Sequence, residues 1–419
     1  MKFLRVILAS GLLLIVSVGL WGQTAEVFNG QVNDIVQKTR FMIGPFRFYP
    51  AFKFSSFSWV SNVFGLTNTL RNLSDLVIAP SPELTAYLLF RRSLILSFTE
   101  NPEYYFYLSN AKYRGFANGY RAEGRFLFLN RFIITGRYNQ ATQRTLGYLE
   151  LARVIQGSAR QVSAQIFTRS ARGTSLSLDA SWQRLSYSDV GFSEGQISPE
   201  LDRNEFSAGA EFGYRLFSAT QFFVRGSYFE YDFQNQTAIH RKPRAAEAVL
   251  GLRFPPGSII GGSLSLGYKR FLPETQVIPG FSGLVGEASL QYRSENLGIL
   301  DLGFRRDISF SLVQGYLYFL DTTLTGRLTF RTTKFLFVRF GGSYGWLNYP
   351  REVPAAVPGS ADESAVVQDR LASAQAGFVV RLTRTFGLGL TYQKWFRDSP
   401  LIGNDFNGSL VTIDLVREF

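Results

Sequence analysis

The sequence predicts an all-β fold, a transmembrane antiparallel up-and-down β-barrel of about eighteen strands (about 16–18), on three observations. Apolar and polar residues alternate with period two from about residue 45 to the last residue. A wall with lipid on one side and water on the other reads this way. Hydrophobic residues make up 46% of the chain, yet past the N-terminus no apolar run is long enough for a membrane helix, so alternation must spread them. Short and long connections also alternate along the chain.

Taken in order, the first element is a leader. Lys2 and Arg5 precede the apolar run Val6 to Val18, the pattern of a secretory signal peptide over residues 1–22. The alternative, an anchoring helix, needs about 20 apolar residues, more than the run supplies. Cleavage after Gly22 puts Leu20 at the third position back, and cleavage after Ala25 puts Gln23 there. Neither fits the small-x-small rule, so the end of the leader is fixed only to within a few residues. The chain has no cysteine, which excludes lipidation, a disulfide framework and a thiolate metal site.

Residues 23–44 form a short periplasmic extension. Val27, Phe28, Val32, Ile35 and Val36 give it one short amphipathic helix, lying in the periplasm or tucked into the barrel mouth. It is too short for the globular plug of an energised receptor. Residues 45–419 are one domain, since no linker or change of composition interrupts them.

The predicted strands are 45–57, 75–89, 93–108, 116–129, 131–142, 157–169, 173–187, 203–217, 219–233, 244–254, 258–271, 282–293, 297–307, 314–330, 334–349, 368–383, 385–397 and 408–419. In the first, Phe46, Phe48, Pro50, Phe52 and Phe54 lie opposite Arg47, Tyr49, Lys53 and Ser55. Later, Leu176, Leu178, Ala180 and Trp182 oppose Ser177, Asp179, Ser181 and Gln183. Links such as Phe90–Arg92, Asn130, Pro255–Gly257, Ser294–Asn296 and Arg331–Thr333 are short, whereas 58–74, 143–156, 188–202, 272–281, 350–367 and 398–407 are long. Periplasmic turns and extracellular loops differ in this way. With an even strand number, both termini fall on the turn side, in the periplasm.

Aromatic runs mark strand ends: Tyr104–Tyr107, Tyr228, Phe229, Tyr231 and Phe233, Trp346 and Tyr349, Trp395 and Phe396. They are read as girdles at the lipid headgroups. The ordinary alternative is cross-strand packing in a water-soluble sandwich, disfavoured by so much apolar surface on so many strands.

The last strand carries Val411, Ile413 and Leu415 on one face and ends in Phe419. This resembles the C-terminal signal that outer-membrane barrels present to the barrel-insertion machinery, except that Arg417 stands where another apolar residue is usual. The first strand, Gly44–Pro50, and Ser61–Asn62–Val63–Phe64–Gly65 resemble the β-barrel porins associated with exopolysaccharide and capsule export. That resemblance covers a short part of the chain and implies a pore in the outer membrane of a Gram-negative-type bacterium, with polysaccharide export as one role. It implies no catalytic residues.

If one face of each strand meets lipid, the other lines the lumen. That face holds Arg47, Lys53, Arg121, Arg125, Arg137, Arg215, Arg225, Arg253, Lys269, Arg293, Arg305, Arg327, Arg339 and Arg381, with Glu123, Asp179, Glu211, Glu247, Glu287, Asp301, Asp321 and Asp414. Bases outnumber acids here, as in the whole chain, whose net charge is +12. A net positive lumen passes anions; the alternative is that Arg and Glu pair across strands and brace the wall.

The positive charge does not point to nucleic acid, because a secreted chain without a basic block or recognition helix meets none. For loop residues Arg241, Lys242 and Arg244 the favoured reading is a solvated charged loop, and the alternative is contact with lipopolysaccharide. The single histidine, His240, lies in a loop near Asp232, and a lone loop histidine makes no active site. No enzyme activity, cofactor or metal is expected. The expected function is a porin-like pore for polar solutes, anions among them, with loops 350–367 and 58–74 as candidate constrictions. The alternatives are a dedicated exopolysaccharide channel with periplasmic export partners, and a closed structural or adhesive barrel presenting its loops.

Overall fold

In a computed structural model of the chain, the structure describes residues 24–39, 41–61, 74–90, 93–146, 154–189, 201–217, 220–234, 242–255, 257–274, 278–294, 298–311, 316–350, 367–383, 386–400 and 405–417. The leader, His240, and residues 62–73 and 351–366 of the two candidate constrictions lie outside them.

A helix, α1 (Thr24–Lys38), comes first, then nineteen strands. They are β1 (Phe41–Ile43), β2 (Phe46–Val60), β3 (Asp75–Phe90), β4 (Leu94–Tyr107), β5 (Gly115–Phe128), β6 (Phe132–Leu146), β7 (Val154–Arg169), β8 (Ser175–Asp189), β9 (Arg203–Arg215), β10 (Gln221–Phe233), β11 (Arg244–Phe254), β12 (Ile260–Leu272), β13 (Phe281–Ser294), β14 (Gly298–Phe310), β15 (Tyr318–Arg331), β16 (Leu336–Tyr349), β17 (Val367–Arg381), β18 (Phe386–Asp398) and β19 (Phe406–Arg417). Each of β2 to β19 pairs antiparallel with its sequence neighbours, and β19 closes on β2 through Leu410–Val60, Val411–Trp59 and Thr412–Ser58. The result is the predicted closed barrel of eighteen strands. Closing the sheet on itself pairs its first and last strands, here over a three-pair seam, which is how a β-structure avoids open edges in lipid.

Two departures from the predicted elements have local causes. The three-residue β1 folds back on β2 through Gly44 and Pro45, with Gly44 at φ +58°, a conformation glycine adopts without cost. A bulge between Phe54 and Ser56 lets β2 run on to Val60 and reverses its facing, so that Ser58 is buried and Trp59 exposed.

The turns after β3, β5, β7, β9, β11, β13, β15 and β17 are short and share one end of the barrel. The β5–β6 turn holds Leu129 and Asn130 at φ 52° and 54°, the mirror-image turn that matches strand twist. Both termini of the barrel lie at this turn end.

Even-numbered residues of β3 to β18 face outward over most of their length. Phe98, Val162, Trp182, Leu250, Tyr268 and Phe340 are each 40% or more exposed, as lipid-facing side chains are when no lipid is counted. Val411 and Ile413 share this outer face, opposite Tyr392 and Leu390, as the terminal pattern requires. The side chains of Leu415 and Phe419 lie outside the described residues.

The aromatic runs are a partial correction. Tyr104, Tyr228 and Phe396 are outward and exposed, but Tyr107, Phe233 and Tyr349 are buried. Tyr105 and Trp395 pack with Tyr107, and Phe229 and Tyr231 with Phe233. Neighbouring residues in a strand face opposite ways, so a run of aromatics supplies both the girdle and the lumen.

Candidate functional site

The site is the lumen, and alternation builds it from the odd-numbered residues of β3 to β18. At the turn end one sector is apolar. Leu89, Ile95, Leu127, Ile133 and Phe167 face inward on β3 to β7, and α1 lies on them with Phe28 fully buried. Thr24 Oγ1 donates to the Arg169 carbonyl at 3.1 Å and accepts from its amide at 2.9 Å. Of the two places open to the N-terminal helix, the structure thus selects the barrel mouth.

The rest of that rim is basic. Arg47, Arg169, Arg215, Arg253, Arg293, Arg331 and Arg381 each occupy the inward position nearest the turn end of their strand, and among the described side chains no acid does so. Arg169 and Arg331 were not among the residues expected to line the lumen; strand parity finds them once the strand ends are fixed.

Higher in the wall many charges are paired. Arg137 Nε lies 2.5 Å from Glu123, which also contacts Arg125. Glu211 takes both Nη atoms of Arg253, at 2.6 and 2.8 Å, and stands 3.9 Å from Arg225, whose other Nη bonds Asp179 at 2.8 Å. Lys269 bridges Glu247 at 3.1 Å and Asp307 at 2.6 Å. For these residues the bracing alternative holds. Arg121 instead bonds Asn139 at 3.0 Å, and Arg293 bonds Gln291 at 2.7 Å. No described carboxylate pairs with Arg215, Arg305 or Arg327, although Glu287 and Asp301 sit in register opposite the last two. Asp301 accepts from Gln291 and Asp321 from Thr323. Arg47 contacts the Met42 sulfur and Arg381 the Thr383 carbonyl. The side chains of Lys53 and Asp414 lie outside the described residues.

Toward the loop end the balance reverses. Asp75, Glu103, Glu205, Asp307, Asp321 and Asp369 line this half. Its main bases are each held by one of them or by Glu247: Arg203 by Glu205 at 2.7 Å, Lys269 as above, and Arg397 by Asp369 in a fully buried pair. The lumen is therefore polarised along its axis, basic at the turn end and acidic at the loop end.

Aromatic side chains narrow the loop end. The Phe310 ring lies 4.8 Å from Tyr231 and 5.0 Å from Phe233, on β14 and β10. Four strand spacings along the wall amount to about 19 Å, so the contact requires the loop ends of β14 and β10 to lean toward each other over the lumen. Tyr318 of the β14–β15 hairpin donates to the Pro279 carbonyl at 3.0 Å. The Tyr316 ring meets Tyr349 edge-on at 5.2 Å, and the Phe319 ring lies tilted against it at 5.4 Å. This hairpin is the constriction seen among the described residues, and sequence reasoning missed it because its connection is short.

Hollows remain along the wall. One of about 940 Å³ is lined by Thr85, Thr99, Asn101, Glu103, Arg121, Asn139, Gln161 and Gln183. A second, of about 540 Å³, is bounded by Glu211, Arg225, Glu247, Arg253, Glu287 and Arg305. Neutral amides and hydroxyls dominate the first, charges the second. Among the described residues no group of three or more His, Cys, Asp or Glu could hold a metal ion.

No curated protein matches the chain. Among solved structures it is similar to the FrpB iron transporter from Neisseria meningitidis (F3-3 variant), with TM-score 0.49, 9% identity and coverage of 88% of this chain and 63% of that one. It is also similar to the alcaligin outer membrane receptor FauA from Bordetella pertussis (TM-score 0.44, 10% identity, 89% and 65% covered). A third is CdiB from Acinetobacter baumannii (TM-score 0.39, 10% identity, 90% and 60% covered). The chain thus spans less than two thirds of the length of these proteins, and nothing of their ligands or partners transfers at such likeness. The family described as Putative beta-barrel porin 2 matches residues 41–419, so the chain belongs to that family and is an outer-membrane β-barrel.

Proposed function

We propose that the protein is an outer-membrane pore for polar solutes that draws in anions at its turn end, which faces the periplasm together with both termini. The observation that carries this reading is the rim of inward arginines, Arg47, Arg169, Arg215, Arg293, Arg331 and Arg381, with no acid at the same level among the described side chains; Arg253 shares the rim but is held by Glu211. Rings of arginine favour anions, and a charged mouth with low-dielectric walls concentrates them. On this reading the chain conducts and catalyses nothing. Outer-membrane lipids and the insertion machinery are its partners.

The axial polarity supplies the test. A pore basic at one mouth and acidic at the other accumulates mobile ions under one voltage polarity and depletes them under the other. In a planar bilayer the folded chain should give anion-selective reversal potentials and unequal currents at equal positive and negative voltage. A linear, cation-selective current would overturn the reading. Folded barrels that pass no current would favour the closed, loop-presenting alternative.

A second reading, a dedicated exopolysaccharide channel, is favoured by the larger hollow. Asn101, Asn139, Gln161, Gln183, Thr85 and Thr99 offer the paired donors and acceptors that sugar hydroxyls need. Block of the current by neutral oligosaccharides, relieved in Asn139→Ala and Gln161→Ala, would support it.

A further inference from the structure

Among the described side chains, the outer face of the barrel is charged at one end only. Among the described side chains, none of the outward positions within about five residues of a short turn is charged. Near the loops the outer face carries Arg160, Arg184, Arg270 and Arg370, together with Arg244, whose Nη2 lies 3.8 Å from Glu230.

Arg160 and Arg184 form the tightest grouping. They are direct cross-strand partners on β7 and β8, on the same face as the exposed Val162, Ile166 and Trp182. Both are exposed, and no carboxylate of a described residue pairs with either. Gln140 and Asn204 flank them in register on β6 and β9; Tyr138 donates its hydroxyl to Gln140 Oε1 at 2.8 Å. Like charges directly opposite one another destabilise a strand pair, and a charge on the lipid side of a barrel wall is costly. One anion lodged between the two guanidinium groups removes both penalties, and phosphate matches the planar guanidinium fork.

We propose that Arg160 and Arg184, with Gln140 and Asn204 beside them, form a binding site for the phosphate groups of lipids in the outer leaflet. The site lies at the level where the wall turns from apolar to polar, which is where lipid headgroups sit. It is on the opposite side of the wall from the lumen, so it is independent of conduction, and its failure would leave the pore reading untouched.

The test uses the full chain folded in detergent micelles. Bis-phosphorylated lipid A is the probe, and native mass spectrometry reads the retained lipid. A basic residue near an anionic membrane surface contributes about 1 kcal/mol, about a fivefold change in affinity, so Arg160→Gln with Arg184→Gln should weaken retention about thirtyfold. Arg160→Lys with Arg184→Lys should keep most of it. Lys334→Gln, on a short turn at the other end, should match the unmodified chain. Circular dichroism confirms that each variant is folded.

Equal retention by the double glutamine variant and the unmodified chain would overturn the proposal. Equal retention of dephosphorylated lipid A would overturn it as well, since the phosphate would then not be what is recognised. Competition by inorganic phosphate at concentrations similar to the lipid would assign the site to free anions and overturn the lipid assignment.

Discussion

Replacing Phe28 should release α1 from the barrel mouth, and the consequence can be worked from the structure. Phe28 is fully buried against Ile95, Leu127 and Ile133. Phe→Ala at such a position costs about 3–5 kcal/mol. The helix has fifteen residues and is held otherwise by partly buried Ala25, Val27, Val32 and Ile35 and by the two hydrogen bonds of Thr24. A loss of that size is comparable to everything else holding it, so the docked state gives way to a mobile segment.

The opening that results follows from barrel geometry. Eighteen strands about 4.8 Å apart, tilted about 40°, give a circumference of about 110 Å and a backbone diameter of about 35 Å. Side chains take about 5 Å on each side, leaving a clear width of about 25 Å. A helix about 11 Å across fills about one fifth of that area. Phe28→Ala should therefore raise single-channel conductance by about one quarter and expose the 24–38 segment to protease. A segment that stays protease-resistant would refute the energetic argument. A segment that becomes cleavable with conductance unchanged would refute the claim that α1 obstructs the path.

Glu211→Gln removes the carboxylate shared by Arg253 and Arg225. One extra positive charge about 10 Å from a passing ion favours an anion and disfavours a cation by about 0.4 kcal/mol each in water, so the anion-to-cation permeability ratio should rise about fourfold, read from the reversal potential in a salt gradient. Asp75 gives a pH prediction. The strand β3 has sixteen residues, more than the roughly 9–11 that cross at a tilt, so Asp75 at its loop-end tip stands clear of the lipid. Burial pushes its pKa up, but the amides of Ser109, Asn110 and Leu76 and the Asn110 side chain outweigh this and hold it below 3.8. A lowered folded pKa stabilises above the unfolded value and is lost as pH falls through the folded one. Asp75→Asn should cost about 1–3 kcal/mol at neutral pH and less in acid, as urea titrations at several pH values would show; a pH-independent cost would contradict it. Gly262 has φ +114°, and a Cβ there would lie 1.9 Å from the Ser289 carbonyl oxygen. Gly262→Ala should destabilise the β12–β13 pairing by about 1–3 kcal/mol, visible as a lower urea midpoint.

Thr24 also bears on the leader expected from the sequence. Cleavage after Ala25 would remove the buried Thr24 hydroxyl and its two bonds to Arg169, whereas cleavage after Gly22 keeps them. The intact mass of the mature chain should therefore begin at Gln23.

The fold was legible because a barrel wall imposes period two on every strand, and the turns impose a second alternation of short and long links. Strand number, closure partners and the outward Val411 and Ile413 all follow from that pattern. Facing was legible too, and with it most of the lumen arginines. What sequence could not supply was pairing. Glu211 and Arg253 are forty-two residues apart and meet only because β9, β10 and β11 align in one register, while Arg327, on an equally polar face, meets no described carboxylate.

Tertiary structure alone decided three further things. It put α1 inside the mouth, because Leu89, Ile95, Leu127, Ile133 and Phe167 form an apolar patch only after five strands come together. It leaned the loop ends of β14 and β10 toward each other over the lumen, a contact across four strand spacings that no local pattern records. It also turned scattered arginines into a rim, since their height on the wall depends on strand ends and register. Period is a local property and survives in one dimension; who faces whom across a closed sheet is set by shear and closure, and exists only when the barrel is complete.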